Sequence, residues 1–230
     1  GNGNGLTYVG WQWKKGATPG FDIVTYSGTG SARTISHSLG ATPSFIIVKD
    51  RSQSKNWMVY HSAIGNTKYL QLSSLIAATT DSTVWNNTSP TSSVFSLGTK
   101  TEVNGSGDNY VAYLWAEIAG FSKFGSYTGN GNADGPIVNC GFRPRFILWK
   151  RSDASGQDWG MIDSSRSTYN TAGAYLLPSS TAAEGTFTGF DFLSNGFKLR
   201  EASAVGTNYN AATYIYMAFA ENPFKYARAR

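Results

Sequence analysis

One strand-like phrase is written three times along this chain. Tyr8-Val9-Gly10-Trp11-Gln12-Trp13 returns as Tyr110-Val111-Ala112-Tyr113-Leu114-Trp115, and again as Tyr214-Ile215-Tyr216-Met217-Ala218-Phe219. The spacing of about 100 residues is that of a whole domain, not of a solenoid repeat. Aligning Gly20-Phe21 with Gly120-Phe121 extends the match. Pro43-Ser44-Phe45-Ile46-Ile47-Val48-Lys49 falls on Pro144-Arg145-Phe146-Ile147-Leu148-Trp149-Lys150, Trp57-Met58 on Trp159-Gly160, and Tyr69-Leu70 on Tyr175-Leu176. Val94-Phe95-Ser96-Leu97 falls on Gly196-Phe197-Lys198-Leu199. Any fold offered to one half must therefore suit the other.

The matched segments are short and bounded by Gly, Asn, Ser or Asp, the pattern of strands and turns. Phe45 to Val48 and Phe146 to Trp149 are apolar without alternation, as in strands covered on both faces. The reading is all-β: two tandem β-sandwich units of jelly-roll type over 20–119 and 120–230, with residues 1–19 an N-terminal strand and linker left from a preceding copy. An unpaired strand carrying Tyr8, Val9, Trp11 and Trp13 would invite aggregation, so it is expected to pair with an exposed edge of the first unit. Single helical turns are expected near Leu72 to Ala78 and Thr181 to Glu184. Gly28-Thr29-Gly30 and Gly129-Asn130-Gly131 read as hairpin turns; no Gly-Lys-Ser/Thr follows them to make a phosphate loop.

Composition narrows the function classes. Of the net charge of +5, three cations sit in the last six residues (Lys225, Arg228 and Arg230), which read as a solvated tail. No basic stripe falls on a folded element, so nucleic acid is not an expected partner. Nor is there a run of apolar residues long enough to enter a membrane. Cys140 is alone, which excludes an intrachain disulfide and a multi-cysteine zinc site and suggests folding in a reducing cytoplasm. The opening Gly1-Asn2-Gly3-Asn4-Gly5 reads as a boundary inside a longer chain.

Catalysis finds little support. His37 and His61, the two histidines, have no imidazole at the corresponding places near Val138 and Asp163, and no Gly-x-Ser-x-Gly elbow surrounds a serine. They are expected at the surface or capping turns. The acids Glu102, Glu117, Glu184, Glu201 and Glu221 are dispersed, and Glu117 and Glu221 occupy equivalent positions, which favours a shared structural task over a glycosidase pair. No enzyme activity, cofactor or metal is expected. Ligand binding has more support: 7 Trp and 13 Tyr exceed what two small cores need, and aromatic faces stack on sugars while polar side chains bond their hydroxyls. The repeated pairs Trp57/Trp159 and Tyr69/Tyr175 are assigned to the core. The candidate ligand residues are the unshared loop positions Trp85, Asn86 and Asn87 in the first half, and Asp153, Gln157 and Asp158 in the second.

Several of these blocks together resemble a module recurrent in tail-fibre and other virion proteins of tailed bacteriophages. They are Tyr8 to Lys14, Gly20 to Gly28, His37-Ser38-Leu39-Gly40, Ile46 to Lys49, Trp57 to His61, Trp85 to Phe95, Gly120 to Gly131 and Glu221 to Lys225. The link from Lys15 to Gly20 is shorter than in the family it resembles. The resemblance implies a non-enzymatic virion component, the C-terminal part of a phage tail fibre made in the host cytoplasm, which attaches to a bacterial cell-surface receptor or glycan. Other virion proteins are the implied partners. A homotrimer is suggested by analogy with fibres, although no heptad pattern specifies it. The alternatives are a purely structural head or tail decoration module and, less favoured, a surface-polysaccharide depolymerase.

Overall fold

The computed structural model describes residues 3–5 and 7–222; the basic run 225–230 and the end of the Glu221-to-Lys225 block lie outside them. The first half contributes strands β1 (Phe21–Ser27), β2 (Arg33–Ser36), β3 (Pro43–Asp50), β4 (Met58–His61), β5 (Lys68–Gln71), β6 (Thr79–Thr80), β7 (Val94–Leu97) and β8 (Asn109–Ala116). The second contributes β9 (Ser122–Thr128), β10 (Ile137–Asn139), β11 (Pro144–Arg151), β12 (Trp159–Asp163), β13 (Ala172–Leu176), β14 (Gly185–Leu193), β15 (Gly196–Leu199) and β16 (Thr213–Ala220). Two helical turns, α1 (Ser82–Trp85) and α2 (Thr101–Asn104), complete an all-β architecture in which neighbouring strands run antiparallel. Neither turn lies where the sequence suggested one: 72–78 and 181–184 are irregular. Asp81 explains the position of α1, because its carboxylate caps the Thr83 amide at 2.8 Å.

The first sheet runs β1-β8-β3-β4-β5-β6, with the ribbon β2-β7 apart from it; the second runs β10-β15-β14-β13-β12-β11-β16-β9. The run β9-β16-β11-β12-β13 has the order of β1-β8-β3-β4-β5, down to a register irregularity after Pro43 and after Pro144. In the second half β14, β15 and β10 curl back over that run, so that Phe197 meets Tyr127 and Tyr216 edge-on.

Three cores result. Ile46, Val48, Met58, Trp85, Phe95 and Leu114 fill the first half, and Ile147, Trp149, Phe190, Phe197 and Tyr216 the second. Between them, Phe45, Ile47, Val59, Leu70 and Trp115 of one sheet meet Phe124, Phe146, Leu148, Trp159 and Phe219 of the other. Alternate residues of β3 and β11 thus face different cores, which is why neither strand shows a polar face.

The N-terminal segment departs from expectation. Tyr8 to Lys14 forms no strand and joins no sheet edge; its nearest ladder contact is an isolated bridge between Gly16 and Phe21. Trp11 and Trp13 are half-buried by insertion instead, while Tyr8 stays exposed. Trp13 stands 5.9 Å from Trp115, 5.7 Å from Phe146 and 5.6 Å from Phe219, spanning both sheets, while Trp11 packs on Phe146. Rings supply here the burial that backbone pairing was expected to supply.

The glycine turns are also not hairpins. β1 pairs with β8 and β2 with β7, so Gly28-Thr29-Gly30 passes from one layer to the other. Close approach requires Gly28: a Cβ there would lie 2.0 Å from the Gly105 carbonyl oxygen, and one on Gly129 would lie 2.3 Å from that of Tyr209. A fully buried asparagine clips each turn. Asn104 accepts from the Thr29 amide at 3.0 Å and donates to the carbonyls of Ser31 and Gly98; Asn208 accepts from Asn130 and donates to Asn132 and Glu201.

His61 is wholly buried between the halves rather than at the surface, though it does cap a turn. Its Nδ1 accepts from the Ala63 amide at 3.0 Å and its Nε2 faces the Tyr216 carbonyl oxygen at 3.0 Å. A carbonyl only accepts, so Nε2 carries the proton and the ring is neutral. Burial pushes its pKa down to about 4. The unfolded chain protonates near the ordinary histidine value of about 6.5 and the folded chain does not, so stability is full above that pH and falls as pH drops toward 4, by roughly 3 kcal/mol. Urea unfolding of the native chain and His61→Gln at pH 7 and pH 4.5 checks this: the native chain should lose more. Equal losses would remove His61 as the cause.

Candidate functional site

The six sequence-derived ligand residues divide sharply. Trp85 is no recognition platform: it is 2% exposed, with its ring edge-on to Tyr60 at 6.0 Å in the first core. The capped turn of α1 points it inward. Asn86 and Asn87 are exposed and end α1 in the left-handed region, with φ of 51° and 46°, a conformation asparagine tolerates. Asp153 is exposed and paired with Arg151 at 2.8 Å, a pairing that holds its carboxyl below the usual range against the opposing effect of burial. Gln157 and Asp158 do come together, in the wall of a groove on the second half.

That groove, of about 310 Å³, is built on two glycines that leave room for rings. A Cβ on Gly160 would lie 2.2 Å from the Trp149 ring, and one on Gly185 would lie 2.5 Å from Tyr175. Trp149 is fixed by its Nε1, which donates to the Gly206 carbonyl at 3.0 Å. Phe187 stacks on Trp149 at 6.2 Å and meets Tyr175 edge-on at 5.2 Å. In the first half Val48 and Met58 occupy the places of Trp149 and Gly160, and α1 with Trp85 stands in the chain where β14 stands in the second. The groove is therefore a property of one half.

Polar groups ring the aromatic floor. Asp158 Oδ1 accepts from Ser179 Oγ at 2.8 Å. Glu201 is half-buried, and burial raises its carboxyl above the usual range. Lys150 is fully buried and does not line the groove; burial lowers its ammonium to about 8 while Asp158 opposes the shift, and its Nζ donates to the Arg151 carbonyl at 2.7 Å. Thr207 also lines the groove; it is 5% exposed and its hydroxyl has no hydrogen-bond partner among the described residues. Flat apolar faces with acceptors at the rim suit a ligand that stacks and donates hydrogen bonds.

Sequence reasoning missed Trp149, Tyr175, Phe187, Glu201 and Thr207. Tyr175 was assigned to the core because Tyr69 matches it, yet only Tyr69 is buried. The available signal was Gly160 standing opposite Met58. A second recess of about 340 Å³ lies beside Trp11 and Trp13, where Arg145 is bonded to Ser165 and Asp163 to Arg166. The equivalent acids take structural roles: Glu117 accepts from the Phe124 amide and pairs with Lys123, and Glu221 pairs with Arg143. No group of three His, Cys, Asp or Glu side chains able to hold a metal occurs among the described residues, and no helix there is long and apolar enough to cross a membrane.

A family model described as a domain of unknown function, DUF7483, matches residues 1–223. No curated protein matches the chain. The crystal structure of the STIV MCP aligns at 10% identity over 86% of this chain and 96% of its own, with a TM-score of 0.22. A likeness at that score carries no argument about fold or function.

Proposed function

We propose, from the premise that the chain belongs to the DUF7483 family, that it is a non-enzymatic structural component of a phage virion, part of the tail fibre, and attaches to the bacterial surface. The resemblance of its sequence blocks to fibre modules supports the virion setting. The observation that carries attachment is the groove, which sets Gln157 and Asp158 beside the rings of Trp149, Tyr175 and Phe187. Such a floor binds by burying the flat face of a ligand, and the rim fixes its orientation.

Tyr175→Ala removes one wall of the floor and should weaken binding to an array of bacterial surface polysaccharides at least tenfold, in a variant that stays folded at a somewhat lower melting temperature. Phe187→Ala should do the same. Binding that survives both changes would take the attachment site elsewhere. A purely structural role is the second reading. It is favoured by the core shared between the two sheets, which makes the halves one rigid building block.

A further inference from the structure

We infer that the groove takes a saccharide carrying a free ammonium group, held against the rings of Tyr175 and Phe187 by Asp158 and Glu201; this rests on the attachment reading above. The charged side chains lining the groove are both acids, and no cation lines it. What sets these two apart is that neither has an ion partner among the described residues. The other acids of the second half are Asp134, Asp153, Asp163, Glu184, Asp191 and Glu221, and each of them pairs with a lysine or arginine. Two cations close by are engaged elsewhere. Arg200 pairs with Asp191, and the buried ammonium of Lys150 is turned to the Arg151 carbonyl. Asp158 and Glu201 are both half-buried, where a charge is screened less than on an open surface.

The rings suit the same ligand. A cation over an aromatic face is attracted by the ring's quadrupole, and such a face also packs on the C–H side of a sugar. An ammonium donates up to three hydrogen bonds. Asp158 Oδ1 accepts from Ser179, while its other oxygen and the carboxylate of Glu201 accept no bond among the described residues. In the first half Asn56 and Thr99 stand in the chain where Asp158 and Glu201 stand in the second, so the acids, like the groove, belong to one half. Acetylating the amine would remove the charge that both acids attract, and a uronate would bring a third carboxylate beside them.

The test titrates glucosamine oligomers against N-acetylglucosamine oligomers of the same length, with glucuronate oligomers, choline and oligolysine as further probes. The glucosamine oligomer should bind at least about tenfold tighter than its acetylated counterpart, and its affinity should fall with added salt. Asp158→Asn and Glu201→Gln keep the shape and remove one charge. Each should weaken glucosamine binding about tenfold, as for the loss of one charge-assisted hydrogen bond, and change the acetylated oligomer less than about twofold. Equal or tighter binding of the acetylated or glucuronate oligomer, or full affinity in both variants, overturns the inference but leaves attachment standing, provided Tyr175→Ala still weakens saccharide binding. Choline or oligolysine bound more tightly than the glucosamine oligomer, and lost in Tyr175→Ala, overturns the saccharide assignment. If no saccharide binds, here or on the polysaccharide array, both readings fall.

Discussion

Trp159→Ala is expected to destabilise the protein by about 5 kcal/mol. The side chain is 1% exposed in the core between the two sheets, with its ring edge-on to Phe45 of the first sheet at 6.4 Å. Truncating a buried tryptophan to alanine typically costs about 3–5 kcal/mol in lost transfer and cavity terms. Here its Nε1 also donates to the Gln71 carbonyl at 2.8 Å, across to the other half, and leaving that acceptor unpaired adds about 1–2 kcal/mol. Chemical denaturation measures the effect directly. Trp159→Phe separates the two contributions, since it keeps most of the packing and should cost only about 2 kcal/mol. A loss below about 2 kcal/mol for the alanine variant would mean that the shared core contributes little to holding the sheets together.

Asn104→Ala should cost about 4 kcal/mol, although it removes only a small polar side chain. Three hydrogen bonds vanish together, leaving the Thr29 amide and the Ser31 and Gly98 carbonyls without this partner. Only the bond to Gly98 is fully buried and the other two are part-buried, so each loss is set at about 1–1.5 kcal/mol net. Asn208→Ala should behave alike, because its three bonds join the corresponding turn. The two clips lie in different halves and share no partner, so their costs should add in the double variant. Equilibrium unfolding decides it: a cost near 1 kcal/mol for either single variant would show that the turn rearranges and re-satisfies its backbone.

How much of this was legible in the sequence depends on the range of the interaction involved. Short apolar segments between turn residues gave the strands, and the unbroken runs at Phe45 and Phe146 gave sheets covered on both faces. Those features are local and written in neighbouring residues. Trp85 was misread because a four-residue helix is too short to show a period, and only the Asp81 cap, visible in the contacts, turns the indole inward. Tyr8 to Trp13 was misread because strand-like composition does not say whether burial will come from a backbone ladder or from side-chain insertion. Of the groove, only Gln157 and Asp158 were foreseen. Trp149, Phe187 and Thr207 are separated by tens of residues and meet because β14 curls over the sheet.

The placement of Trp13 has a mechanical corollary. Tension entering through the leading segment meets an indole wedged against rings of both sheets before it loads any hydrogen-bonded ladder beyond the Gly16 bridge. The opening resistance to a pull is then the extraction of an aromatic plug, set by ring size and fit rather than by strand length.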